Sequence, residues 1–265
     1  MTAPEQAEPA RGGRYSSPGG DPRFRFSAKV ADYDAARPDY PAVLFTALRA
    51  QCADAALAVD LGAGTGLLTR GLLQHGFRVV AVEPDAAMRA ACDRRLGAQA
   101  GYRSAEGAAE AIPMADASAD LITAAQAFHW FDVMRARAEC RRVLKPAGVV
   151  ALIWNDRVCG DPLQQELDAV FAEHGGAAHS AQSDRADMPR FFGGNAPTEL
   201  TWPHEHRLGE AGLLSLAFSR SYMPARMSSA AAGVERKVRR LFRDWQQDGR
   251  VVVRYRTAAF IGRPG

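Results

Sequence analysis

The chain has 265 residues, 47% of them hydrophobic and 24% charged, with a formal net charge of +3. That length and balance fit one large α/β domain and leave no need for disulfide staples. A charge of +3, carried almost wholly by arginine with lysine only at Lys29, Lys145 and Lys237, does not mark a nucleic-acid surface. A GC-rich coding bias accounts for it more simply.

Cys52, Cys92, Cys140 and Cys159 are widely spaced and form no C-x-x-C pair, so neither a zinc knuckle nor a redox motif is expected. The first residues lack the basic-then-apolar pattern of a secretory signal, and no apolar run is long enough to span a bilayer. The expected compartment is the cytoplasm, with reduced thiols. Residues 1–22 are rich in Pro, Gly, Ser, Ala and Arg and read as a disordered tail; residues 23–265 read as a single domain.

In chain order, an aromatic, Pro-punctuated lead-in (Phe26 to Pro41) runs into a helix over Ala42–Ala50. The run Leu57–Leu61 (LAVDL) stops at glycines and predicts a buried strand, followed by a helix from Leu67. Arg78–Val82 predicts a second strand. Asp85 caps a helix reaching Leu96, with Met88, Ala91, Cys92 and Leu96 on one face. Asp120–Ala124 predicts another strand, Val133 to Val143 a helix, and Gly148–Trp154 a further buried strand. Strands alternating with helices imply a parallel sheet with helices on both faces and ligand-binding loops along one edge. Beyond it lie a helix over 162–173, a Gly- and Asp-rich loop over 175–198, and a strand over Glu199–Leu208. Amphipathic helices over 211–218 and 234–246 and a partly exposed last strand near Val251–Arg256 follow.

The most informative stretch is Val59-Asp60-Leu61-Gly62-Ala63-Gly64-Thr65-Gly66. A strand enters, a helix leaves, and glycines let a ligand approach the backbone. The spacing is G-x-G-x-G, where a dinucleotide fingerprint would be G-x-G-x-x-G. A carboxylate two residues before the first glycine opposes a pyrophosphate. It suits a ligand with an ammonium and a sulfonium, such as S-adenosylmethionine (SAM). Glu83, at the end of the second strand, is placed to accept two ribose hydroxyls.

These residues, with AVEPD, AEAIP, QAFHWFD and LKPAG in that order, resemble the class I SAM-dependent methyltransferases. The nearest resemblance is to small-molecule enzymes with a type 11 methyltransferase domain, including those similar to trans-aconitate methyltransferase. Phe26, Tyr33, Arg37, Pro38, Tyr40 and Pro41 in the lead-in, and Ser219-Arg220-Ser221-Tyr222 later, also resemble that group. The resemblance spans roughly residues 26–262. It implies an α/β, Rossmann-like sheet, mostly parallel with an antiparallel last strand. It also implies that Asp60 and the Gly62, Ala63, Gly64 and Gly66 backbone hold the methionine part and that Glu83 holds the ribose. Pro84 and Met88 would flank the adenine, Ala109 and Glu110 would line its edge, and Gln126 and Ala127 would face the sulfonium. Many relatives carry an Asp where this chain has Ala108, leaving backbone groups to meet the adenine amino group.

On the substrate side, His129 is the candidate base or positioning residue, with Trp130 and Phe131 as pocket walls. Arg37, Arg157 and Arg220 are candidate carboxylate clamps, and Tyr33, Tyr40 and Tyr222 candidate lid residues. Residues 199–248 are expected to supply most of a substrate lid. His204 and His206 share a strand face without a third ligand in view, so no metal is expected. The basic helix around Arg236–Arg243 reads as an ordinary docked helix. The function read from the chain is methyl transfer from SAM to a small-molecule acceptor through oxygen, nitrogen or carboxylate, in a monomer or homodimer. The alternatives are an RNA or protein methyltransferase, an NAD-dependent oxidoreductase, and a non-catalytic SAM-binding protein. No Asp/Asn-Pro-Pro-aromatic motif and no Pro-Cys nucleophile supports a DNA enzyme.

Overall fold

The computed structural model describes residues 36–52, 56–175, 185–220 and 222–265. The expected tail, Phe26, Tyr33 and Ser221 lie outside the described residues. The elements are α1 (Ala42–Arg49), β1 (Leu57–Leu61), α2 (Leu67–Gln74), β2 (Arg78–Val82), α3 (Ala86–Leu96) and β3 (Tyr102–Ala105). Then come β4 (Ala119–Ala125), a 3-10 turn (Phe128–Trp130), α4 (Val133–Val143), β5 (Leu144–Arg157), α5 (Pro162–Gly175) and α6 (Met188–Phe192). The chain ends with β6 (Thr198–Leu208), α7 (Glu210–Phe218), α8 (Ala231–Trp245) and β7 (Val251–Gly262).

The seven strands form one sheet in the order β3-β2-β1-β4-β5-β7-β6. β1 to β5 pair in parallel, and β7 runs antiparallel to both β5 and β6. The expected mixed sheet with a reversed last strand is therefore present. The period-two alternation divides the strands between two faces. Val59, Val80, Ile122, Val150 and Leu152 pack on one face together with Val133, Ala136 and Cys140 of α4. Ala58, Val79, Leu121, Ala151 and Ile153 pack on the other with α1 and α2.

Four points differ from expectation. α6 lies inside the stretch read as a loop over 175–198, of which 176–184 fall outside the described residues. β3 was not singled out, because YRSA is short and only half buried, with no apolar run to betray it. β5 begins at Leu144, so the Lys145-Pro146-Ala147-Gly148 stretch already belongs to the strand, with a register shift opposite Ala119. β7 continues to Gly262, well beyond Arg256, because its second half is buried against β5.

The first half of β7 extends past the sheet body and carries its own core. Val251, Val253 and Tyr255 pack there with Leu163, Leu167 and Phe171 of α5, Leu213 and Leu216 of α7, and Val234 and Val238 of α8. Of the expected lid over 199–248, residues 198–208 form edge strand β6, and α7 and α8 build this second core. The site cavity opens between the two cores.

Candidate functional site

The parallel strands β1, β2 and β4 end together, and the connections leaving them form the cavity floor. Gly62, Gly64 and Gly66 all take positive φ, at 65°, 58° and 84°. Only residues without a Cβ adopt that backbone freely. Contact enforces the same choice: a Cβ at Gly62 would lie 2.7 Å from the Ala127 Cβ, and one at Gly66 2.6 Å from the Cys92 Sγ.

The amides of this turn are already committed. Gly62 and Ala63 donate to the Val82 carbonyl (2.9 and 3.2 Å), and Gly66 to the Ala63 carbonyl (2.9 Å). Gly64 donates to Glu83 Oε2 at 2.8 Å. A phosphate cradle needs such amides aimed at the ligand. Here four of them are spent inside the protein.

Glu83 stands at the tip of β2 on the cavity wall, 7% exposed. Its Oε1 accepts the Asp85 amide at 2.9 Å and its Oε2 the Gly64 amide. Burial raises its pKa, and the two amides oppose that rise. Each oxygen keeps a lone pair, so the pinned carboxylate can take two further donors. Asp85 caps α3 by accepting the Ala87 and Met88 amides, as its position before an apolar helix face predicts.

Asp60 sits elsewhere than expected. It is 1% exposed and lies behind the glycine turn, off the cavity wall. Thr69 Oγ1 donates to its Oδ2 at 2.6 Å and Thr123 Oγ1 to its Oδ1 at 2.9 Å. Burial pushes its pKa up to about 6, against the pull of both hydroxyls. Asp60 thus stands behind the turn and presents no carboxylate oxygen to the cavity. The reason lies in β1: Asp60 alternates with Val59 and Leu61 and points to the α2 face. Ala63 and Gly66 also stay off the cavity wall; Gly66 caps α2.

The remaining expected residues converge on one cavity of about 570 Å³. Pro84, Met88, Ala108, Ala109 and Glu110 line one end. Glu110 Oε1 accepts the Asp132 amide at 2.7 Å, tying this loop to the start of α4. The loop after it is tied by Arg142, which donates to the Ile112 and Met114 carbonyls (2.9 and 2.8 Å) and to Asp116 and Glu139 (both 2.7 Å).

Gln126 and Ala127 follow β4 into the cavity centre. Gln126 has φ 55°, a left-handed backbone rare outside glycine and asparagine, which holds it against β5. Its amide donates to the Ile153 carbonyl at 2.9 Å, and its Nε2 to the Asn155 carbonyl at 3.2 Å. His129, Trp130 and Phe131 come next along the wall; the His129 and Trp130 rings are 4.8 Å apart.

Arg37, Arg157, Arg220, Tyr40 and Tyr222 line the opposite end. Sequence reading missed Gln164 and Asp168 from α5, Arg185, and Tyr255 and Arg256 from β7, all on the same wall. Alternation within β7 was visible, but its register against β5, which sets Tyr255 beside Arg157, is a tertiary fact. His204 and His206 lie outside the cavity lining. The His206 Nε2 pairs with the Ala36 carbonyl at 3.1 Å, so β6 docks the lead-in that carries Arg37 and Tyr40.

Comparison with known proteins gives the family. Residues 59–152 match the family model described as a methyltransferase domain. An uncharacterized methyltransferase of Mycobacterium tuberculosis is 35% identical over 206 residues, which cover 76% of this chain and 79% of the relative. The chain belongs to the methyltransferase family. This methyltransferase is SAM-dependent and has the class I fold. It also resembles a solved structure from Anaeromyxobacter dehalogenans, provisionally assigned as a type II methyltransferase. That match has 29% identity and a TM-score of 0.63, covering 86% of this chain and 97% of the other. A Geobacter sulfurreducens SAM-dependent methyltransferase solved with S-adenosylhomocysteine shares the fold at 15% identity and a TM-score of 0.51, covering 91% and 98%. No helix among the described residues is long and apolar enough to cross a membrane.

Proposed function

We propose that this methyltransferase carries a methyl group from SAM to a small-molecule acceptor inside the cavity described above. The observation that carries the reading is the glycine turn whose amides are committed to Val82, Ala63 and Glu83. A dinucleotide pyrophosphate would find no donors in those four groups. The ammonium of SAM instead meets carbonyl oxygens and the field of Asp60, and its ribose hydroxyls meet Glu83. Pro84 and Met88 flank the adenine, with the backbone at Ala108 to Glu110 at its edge. Gln126 and Ala127 border the reacting centre.

SAM supplies an activated methyl group, and the protein's task is alignment and exclusion of water. Trp130, Phe131 and the aromatic walls do the second. His129 is placed to orient the acceptor or take its proton, should the attacking atom carry one at neutral pH. A cavity of about 570 Å³ falls in the range used for small ligands, which favours a small acceptor over a nucleic-acid or protein one.

The test is calorimetric binding of S-adenosylhomocysteine to the chain and to Glu83→Ala. Loss of a carboxylate that meets two hydroxyls is expected to weaken binding roughly 10- to 100-fold. Equal affinity in the two proteins would remove the ribose assignment.

A further inference from the structure

The start of α5 is fixed to β7 by a shared carboxylate. Asp161 accepts the Gln164 amide through Oδ1 at 3.0 Å and Arg254 Nη1 through Oδ2 at 2.8 Å. Tyr255 is the next residue of β7. A second link runs through Asp168, one turn along α5. It accepts from Gln164 Nε2 at 3.2 Å and pairs with Arg157, which the β5–β7 register sets opposite Tyr255. The charge of Asp168 also acts on the Tyr255 phenol. Both links bring Gln164 and Tyr255 to one patch of the cavity wall, where they are 3% and 4% exposed.

The Tyr255 hydroxyl and Gln164 Oε1 have no hydrogen-bond partner among the described residues. Buried polar atoms are normally satisfied. What each can do is settled by its surroundings. The Asp168 carboxylate only accepts, so it holds the amide nitrogen of Gln164 and leaves the carbonyl oxygen over. Burial raises the pKa of Tyr255 against the pull of Arg220, Arg37 and Arg157, so the phenol keeps its proton at neutral pH. One atom therefore accepts only, and the other both donates and accepts. A group that complements both has at least one N–H or O–H and one lone pair, as an alcohol or a primary amide does. A carboxylate satisfies the hydroxyl but sets a second acceptor against Gln164 Oε1, which leaves that oxygen bare.

The patch also stands apart from the cofactor. Ala125, the last residue of β4, pairs with Ile153, so Gln126 lies level with Trp154. Arg157 is three residues further along β5, about 10 Å at the usual rise of a strand. The tip of β4, where the cofactor reading puts the reacting centre, is thus well separated from Tyr255.

We propose that the Tyr255 hydroxyl and the Gln164 carbonyl oxygen are a specificity-determining pair, which reads a neutral hydroxyl or primary amide of the acceptor, apart from the atom that receives the methyl group, and rejects a carboxylate at that place. This deepens the small-molecule reading above and rests on it for the position of the reacting atom. The pair itself stands on the two buried atoms.

The experiment titrates the full chain, saturated with S-adenosylhomocysteine, with three probes of the same reach: terminal butanediol, succinamide and succinate. Ligand-observed NMR reads the binding. At least one neutral probe is expected to bind roughly tenfold more tightly than succinate, and which one gives the class of the group. Tyr255→Phe and Gln164→Leu are each expected to remove most of that preference while leaving S-adenosylhomocysteine affinity unchanged. Gln164→Leu also takes away the bond to Asp168, whereas Tyr255→Phe removes a single oxygen and is the deciding variant. Succinate binding as tightly as the better neutral probe, binding of neither neutral probe, or an undiminished preference in a folded Tyr255→Phe variant overturns the proposal. Failure of S-adenosylhomocysteine to bind the wild type would strike the cofactor reading instead, and the same three titrations without it would still decide the pair.

Discussion

Asp60 is a buried carboxylate held by two threonine hydroxyls, and among the described residues no guanidinium or ammonium pairs with it. Its pKa rises from 3.8 to about 6 because burial disfavours the charge more than the hydroxyls favour it. The folded chain therefore holds this proton more tightly than the unfolded chain, and stability falls as pH rises between the two values. Above about pH 6 the full cost of burying the ion is present, about 3 kcal/mol for a rise of that size. Asparagine has the same shape, and both threonine hydroxyls can turn to donate or accept. Asp60→Asn is thus expected to stabilise the cofactor-free protein near pH 7.5 by up to about 3 kcal/mol, shrinking to about 1.5 kcal/mol near pH 5. The same change is expected to weaken S-adenosylhomocysteine binding, because the charge behind the glycine turn is gone. Urea denaturation at the two pH values gives the first result and calorimetry the second. A stability difference that is independent of pH, or that grows as pH falls, would refute the electrostatic reasoning.

Two further outcomes follow from neighbouring parts of the site. Arg142→Ala removes the hydrogen bonds that tie Ile112, Met114 and Asp116 to α4 without touching the cavity wall. It is expected to lower S-adenosylhomocysteine affinity several-fold by loosening the adjoining Ala109–Glu110 loop, read by calorimetry and by faster amide exchange over 108–116. His129→Ala is expected to lower turnover about 100-fold or more if His129 moves a proton, and to spare S-adenosylhomocysteine binding. Turnover is followed on an acceptor drawn from a panel of acids, phenols and amines; unchanged turnover would make the residue a wall.

The parallel half of the sheet was legible because its signals are local. LAVDL and RVVAV are short runs, apolar but for Asp60 and the leading Arg78, that end at glycine or an acid, and each matches its strand residue for residue. The glycine turn and Glu83 were legible for the same reason: their chemistry depends on near neighbours in the chain. Asp60 was placed in the right element, but its partners could not be read there. The glycine motif shows that a carboxylate is present, whereas the partner hydroxyl of Thr123 arrives from β4, 63 residues away. Tyr255 and Gln164 were missed for a related reason. β7 reaches the cavity only by pairing backwards along β5, and α5 only by packing on the protruding half of β7. Nothing in VVVRYR distinguishes a tyrosine that faces a cavity from one that faces a core.

The most direct test of the account is the choice between cofactors. Calorimetric titration of the purified chain with S-adenosylhomocysteine, and in parallel with NADH, is expected to show one-to-one binding of the first and none of the second. NADH binding with S-adenosylhomocysteine silent would contradict the account, since it would require phosphate donors from a turn whose amides are already spent.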